Sequence, residues 1–206
     1  MICNTPNKSN EFLWYETVDS GEPLSQGDFI NSCKVIIPKS TDTAEKIKGE
    51  IEEYDVIVMS QSCDLANKKI DFVLVCPIWT LKNFEDGNSF YKDAEAKELL
   101  RKGFVSGYHL LNKCELNDNL DFIVVDFRTV YSIPFVFLNE MAVGKRIRLL
   151  PPYREHMSQA FGKFFMRVGL PVDIPKFEYL KKKKKICKNC GNNNIGQYCS
   201  NCGNKF

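Results

Sequence analysis

Asp55-Val-Ile-Val-Met-Ser60 and, shortly after it, Phe72-Val-Leu-Val-Cys-Pro-Ile78 are the two stretches that decide the fold class. Each is a continuous apolar run rich in β-branched side chains and too short for a stable helix. Each therefore reads as a strand whose two faces are both covered. Upstream, Phe29 to Ile37 is a third β-branched run, halted by Pro38. Downstream, Gly107 to Leu111, Phe122 to Phe127 and Val130 to Leu138 read as strands, and Arg146 to Leu150 as a short last one. The connections differ in character. Residues 39–54 read as a charged excursion with at most a helical turn, and Gln61 to Asp71 as a polar loop. Lys92 to Lys102 is a run of helix formers ending at Gly103. Residues 1–25 are polar apart from Phe12-Leu-Trp-Tyr15, a strand or a clasp on the body.

After Pro151-Pro152 the period changes. Tyr153, Met157, Phe161, Phe164 and Val168 recur at steps of three and four, giving one apolar stripe, with Arg154, Glu155, Lys163 and Arg167 off it. Prolines suit the start of a helix, and Gly169-Leu-Pro171 suits its end. The spacing predicts a closing helix over 152–168 whose stripe is core. Many short strands and one long helix imply an α+β, β-rich fold, a small rolled sheet or β-barrel capped by the C-terminal helix. The expected domains are a globular body over 1–175, a lysine-rich linker over 176–186 and a zinc ribbon over 187–206.

Cys187, Cys190, Cys199 and Cys202 form two C-x-x-C pairs eight residues apart, each followed by a glycine (Gly191, Gly203). Two thiolates on one tight turn grip a tetrahedral ion from one side, and a second turn supplies the other pair of ligands. So few apolar residues lie there that metal binding and folding would be one event. The expected cofactor is one structural Zn²⁺.

Charge is divided unevenly. Residues 181–206 hold seven of the 28 basic side chains and none of the 26 acids, so the rest carries 21 against 26 and is acidic by five. The run Lys181, Lys182, Lys183, Lys184 and Lys185 is the candidate contact for nucleic acid or for an acidic partner protein; a solvated linker is the plainer reading. Met1-Ile-Cys-Asn lacks a signal-peptide pattern and no apolar run approaches the ~18 residues that span a bilayer. The other five cysteines, Cys3, Cys33, Cys63, Cys76 and Cys114, are scattered, as in a reducing compartment. A cytoplasmic protein with no membrane partner is expected; oligomeric state is not readable.

In the body, Ser60-Gln-Ser-Cys63-Asp64-Leu-Ala-Asn67 is the most polar segment leaving a buried strand. Cys63, with Asp64 nearby, is a candidate nucleophile if either histidine, His109 or His156, lowers its pKa. The plainer reading is a turn in which Asp64 and Asn67 serve the backbone and Cys63 packs inward.

The tail, Cys187-Lys-Asn-Cys-Gly to Cys199-Ser-Asn-Cys-Gly, resembles the short zinc ribbons appended to many bacterial proteins, which implies docking without catalysis. Gln26-Gly-Asp28, Val56-Ile-Val-Met-Ser60 and Phe72-Val-Leu-Val-Cys-Pro-Ile78 together are similar to the first half of the MazF/PemK barrels. That likeness implies an SH3-like barrel and an endoribonuclease activity. The family's arginine before its second apolar strand is replaced by Glu52-Glu-Tyr-Asp55, so Arg128, Arg146 or a lysine would have to stabilise the phosphate. Pro152-Tyr-Arg-Glu-His-Met-Ser-Gln-Ala-Phe161 through Pro171 is similar to the ends of bacterial proteins, some of them linked to phage defence. The leading expectation is a non-catalytic binding or adaptor protein. The alternatives are a MazF/PemK-like ribonuclease and a Cys63-dependent hydrolase or transferase.

Overall fold

The computed structural model describes residues 12–38, 49–114, 116, 121–166, 185–186, 188–189 and 193–194. The chain divides into two compact units, 1–167 and 168–206. The first unit is a mixed α+β body built on β1 (Tyr15–Val18), β2 (Phe29–Ile37), β3 (Glu50–Val58), β4 (Phe72–Thr80), β5 (Tyr108–Leu111), β6 (Ile123–Asp126), β7 (Tyr131–Pro134) and β8 (Arg146–Leu149). Among the described residues five α-helices accompany them, α1 (Ser62–Ala66), α2 (Leu81–Gly87), α3 (Ala94–Arg101), α4 (Phe135–Met141) and α5 (Tyr153–Phe165), with a 3-10 turn at Ser89–Lys92.

The two deciding apolar runs are neighbours. β3 and β4 pair antiparallel through Val56↔Pro77, Ile57↔Cys76 and Val58↔Val75. Their side chains alternate between two cores: Val56, Val58, Val73 and Val75 face one, and Ile57, Met59 and Cys76 the other. Burial on both faces explains the unbroken apolar sequence, and each such side chain contributes about 1.5–3 kcal/mol. α1 and α4 cover the first core through Leu65 and Leu138, and α5 covers the second through Met157. A third, smaller core gathers Phe84 of α2 and Ala96 and Leu100 of α3 against Tyr108 and Val124.

The sheet runs β2-β3-β4-β6-β5, with β7 also paired to β4. β6 and β7 lie end to end against β4, at Ile78–Thr80 and Phe72–Val75. β1 and β8 form their own antiparallel pair, joined to β2 by the bridge Asp28↔Arg148. Gly27 makes this junction possible. Its N–H donates to the Val58 carbonyl, its carbonyl accepts from Leu149 N–H, and its φ of +85° puts a would-be Cβ 3.1 Å from the Leu149 carbonyl.

Four expectations change. The sheet is open rather than a closed barrel: β1 and β5 exchange no ladder, and their ends meet through the Tyr15 hydroxyl donating to the Asn112 carbonyl at 2.6 Å and through the shared core of Tyr15, Leu111 and Cys114. The charged stretch before Asp55 is not wholly an excursion. Glu50 to Tyr54 pairs with Cys33 to Ile37 as the outer part of a hairpin, and Ile36 and Ile51 face each other while largely exposed. The segment after Ser60 is a helix, not a loop. Finally, β7 stops at Pro134 and the chain turns into α4, because Pro134 takes the extended N-cap position and Leu138 is drawn into the core.

α5 places its stripe as its period requires. Met157 is buried, and Tyr153, Phe161 and Phe164 pack on the same core; Val168 lies outside the described residues. Trp14 stacks on Tyr153 at 3.4 Å and 7°, fastening the first aromatic cluster of the chain to this helix. In the second unit, β9 (Lys185–Ile186) pairs antiparallel with β10 (Asn193–Asn194). Among the described residues no helix is long and apolar enough to cross a membrane.

Candidate functional site

α1 follows β3 after three residues, and Met59 N–H and Ser60 N–H bond the Leu74 carbonyl of β4 just before it. Gln61 is the extended N-cap, Asp64 lies in the first turn, and Asn67 closes the C-terminus by donating from Nδ2 to the Cys63 carbonyl at 2.6 Å. Asp64 in a first turn favours the helix, since carboxylates suit its positive end. Around this short helix the serines are already engaged. Ser62 Oγ meets Ser25 Oγ at 2.6 Å and accepts from Gln26 N at 3.1 Å. Ser60 Oγ accepts from Leu74 N at 2.9 Å, and Gln26 Nε2 donates to the Met59 carbonyl at 2.7 Å.

A cleft of about 390 Å³ opens between this segment and α5. Gln26, Ser60, Gln61 and Asp64 form its polar wall, and Met59, Ile70, Phe72, Leu74 and Phe161 its apolar floor. Cys63 is exposed rather than packed inward. Its thiol lies 3.6 Å from Gln61 Oε1 and 3.8 Å from Asp64 Oδ1. The histidines are elsewhere. His109 sits on β5 with its ring stacked on Phe127 at 6.0 Å, and burial, then the neighbouring charge of His156, pushes its pKa down to about 4. His156 is exposed on α5 with its ring against Tyr153. No hydrogen bond or ring contact joins either imidazole to Cys63 among the described residues.

The other three described cysteines are core side chains: Cys33 in one core, Cys76 and Cys114 in another. Burial pushes the Cys33 thiol up to about 11, and burial with the Asp126 charge pushes Cys76 up to about 12, which keeps both protonated and inert. Among the described residues no group of three or more His, Cys, Asp or Glu side chains is placed to hold a metal ion.

The arginines expected to serve a phosphate are committed to other groups. Arg146 is 4% exposed and donates to Asp28 Oδ2 at 2.8 Å and to the carbonyls of Ala142, Glu22 and Pro23. Arg128 is half exposed, paired bidentately with Asp126 at 3.1 Å and laid over the Tyr108 ring at 4.3 Å. Lys181, Lys182, Lys183 and Lys184 and all four tail cysteines, Cys187, Cys190, Cys199 and Cys202, lie outside the described residues; Lys185 belongs to β9.

Two residues of the cleft, Ser158 and Gly162, escaped the sequence reading. A glycine inside an otherwise well-formed helix is the signal that marks them. No protein-family model and no curated protein matches the chain.

Proposed function

We propose that the chain is a non-catalytic binding protein whose zinc-stapled, lysine-rich tail engages single-stranded nucleic acid, in the setting of a bacterial defence system. The reading rests on the spacing of Cys187, Cys190, Cys199 and Cys202. Four thiolates in two turn-sized pairs are a donor set that fits Zn²⁺ and disfavours hard oxygen-loving ions. The antiparallel register Ile186↔Asn193 and Lys185↔Asn194 supports it, because the positions flanking the first pair are drawn together as in a knuckle. When bound, the metal supplies folding energy and no chemistry.

The lysines do the rest of the work. Ammonium groups on flexible stems contact phosphates without reading sequence, and each contact releases a counterion, so affinity falls steeply with salt.

Elemental analysis of the purified chain is expected to find one zinc per molecule, and a chelator to change the tail's spectroscopic signals while the body's unfolding transition stays in place. Filter binding at low salt is expected to retain single-stranded RNA or DNA. Replacing Lys181 to Lys185 by glutamine should flatten the salt dependence, by roughly 0.7 in logarithmic slope for each phosphate no longer neutralised. A chain without zinc overturns the staple. Retention that is absent, or indifferent to those five lysines, overturns the nucleic-acid partner, and binding to an acidic protein in its place would assign the tail to protein docking.

A further inference from the structure

Two features of α5 have no explanation within the fold, and both lie on the face that borders the cleft. Gly162 sits inside the helix, where glycine costs about 1 kcal/mol relative to alanine. A Cβ built there would meet nothing within 4 Å, so neither close packing nor a left-handed backbone calls for glycine. One turn earlier on the same face is Ser158, whose Oγ is buried and has no hydrogen-bond partner among the described residues. A buried hydroxyl without a partner forfeits about 1–3 kcal/mol, and such groups are rare in native interiors. Both residues line the same cleft, opposite Ser60, Gln61 and Asp64. A helix that gives up propensity at one position and hydrogen bonding at the next turn has kept a clear path along its surface.

The geometry points to a binding site for a small amphipathic amine in the cleft between α1 and α5. Size comes first. At about 390 Å³ the space lies toward the lower end of small-molecule sites, enough for a body of one or two fused rings. The floor is apolar and partly aromatic, with Phe72 and Phe161 among Met59, Ile70 and Leu74. An aromatic body is favoured there by area and by ring contacts. Charge decides the head group. Asp64 is the one ionisable side chain in the lining, which holds no lysine, arginine or histidine, although Lys69 bonds the Asp64 carbonyl through its backbone N–H. Among the described residues its carboxylate meets only the Cys63 thiol, at 3.8 Å. An ammonium group is paired there, whereas a phosphate or carboxylate would meet a like charge and no donor of positive sign.

The full chain titrated with tryptamine, followed by NMR chemical shifts and calorimetry, tests this directly. Saturable binding is expected at millimolar amine or below, with shifts at Phe161, Phe72 and Asp64. Gly162→Leu has room for its Cβ and needs no left-handed backbone, so it should block the path and abolish binding while leaving the melting temperature equal or higher. Asp64→Asn should weaken tryptamine about tenfold, and Gly162→Ala, which fills far less, should weaken it little. Indole-3-propionate, the same ring on a carboxylate, should not compete. Absence of tryptamine binding sinks the ligand class. Binding that survives Gly162→Leu sinks the location, and equal binding of indole-3-propionate sinks the role given to Asp64.

Discussion

Asp28 and Ser158 are both polar groups shut away from water, and the fold houses them in opposite ways. The Asp28 carboxylate is wholly buried, yet it accepts from Ser25 N at 2.9 Å, from Arg146 Nε at 2.8 Å and from Arg148 through both Nε and a terminal nitrogen. Arg146 in turn donates to the carbonyls of Ala142, Glu22 and Pro23. Every charge there is answered, and the cluster ties β2 to β8 and to the turn before β2. Among the described residues the Ser158 hydroxyl meets no partner, beside a cleft whose floor is apolar. A saturated polar cluster is architecture, and an unsaturated one beside an opening is capacity for a ligand. The same contrast tells against Arg146 as a phosphate-stabilising group: four of its five N–H donors are spent inside the protein and its side chain is only 4% exposed.

The sharpest way to break this contrast is Asp28→Ala. Removing the carboxylate leaves Arg146 charged, buried and unpaired, which costs about 3–5 kcal/mol. Urea unfolding is expected to show that loss; a change below about 1 kcal/mol would mean the cluster is not what joins the two strand pairs.

His109 stands between the two cases, content only while neutral. Its folded pKa of about 4 is below the unfolded value because burial, and then His156, disfavour the imidazolium. The unfolded chain therefore binds more protons, and the stability from this residue is complete above about pH 6.5 and drains as pH falls toward 4. The expected slope is up to about 1.4 kcal/mol per pH unit inside that window. Unfolding curves of His109→Leu across the window should lose that slope, and an unaltered slope would place the proton uptake on another group.

Tyr15→Phe removes the hydroxyl that donates from β1 to the Asn112 carbonyl after β5, at 2.6 Å. A loss of about 1 kcal/mol is expected, since the stranded carbonyl is only partly buried. Hydrogen exchange should quicken at β1 before it quickens at β3; uniform quickening would mean that the open ends are held by something else.

Ser158→Ala is the smallest effect and the other pole of the comparison. With no partner to lose, the chain should melt within about 0.5 kcal/mol of the parent or slightly above it. A clear destabilisation would reveal a hydrogen bond at Oγ and remove the difference between the two sites.

What was legible beforehand was local. β2, β4 and β8 and the α5 stripe follow from apolar runs and from steps of three and four, patterns that neighbours in the chain create without help from afar. Three misreadings share one cause. Glu50 to Tyr54 is polar yet forms a strand, because β2 offers it a ladder: Lys34 pairs with Glu53 and Ile36 with Ile51. Ser62 to Ala66 is helical because Ser25 and Gln26, far back in the chain, fix the Ser62 hydroxyl at its start and Asn67 closes its end. Val136 and Leu138 look like strand residues but join a helix, since Pro134 ends the strand and the core claims Leu138. Tertiary demand overrode propensity each time.

Sequence alone settled where apolar segments lie, which period each follows, and how four cysteines and seven lysines crowd into the final stretch. Only the folded molecule decided which polar groups find partners. Asp28 and Arg146 are 118 positions apart, and Ser158 shares a cleft with Asp64 from the far side of the sheet's connections. Periodicity is a property of adjacent residues, whereas the satisfaction of a hydrogen bond depends on what distant parts of the chain bring to within about 3 Å.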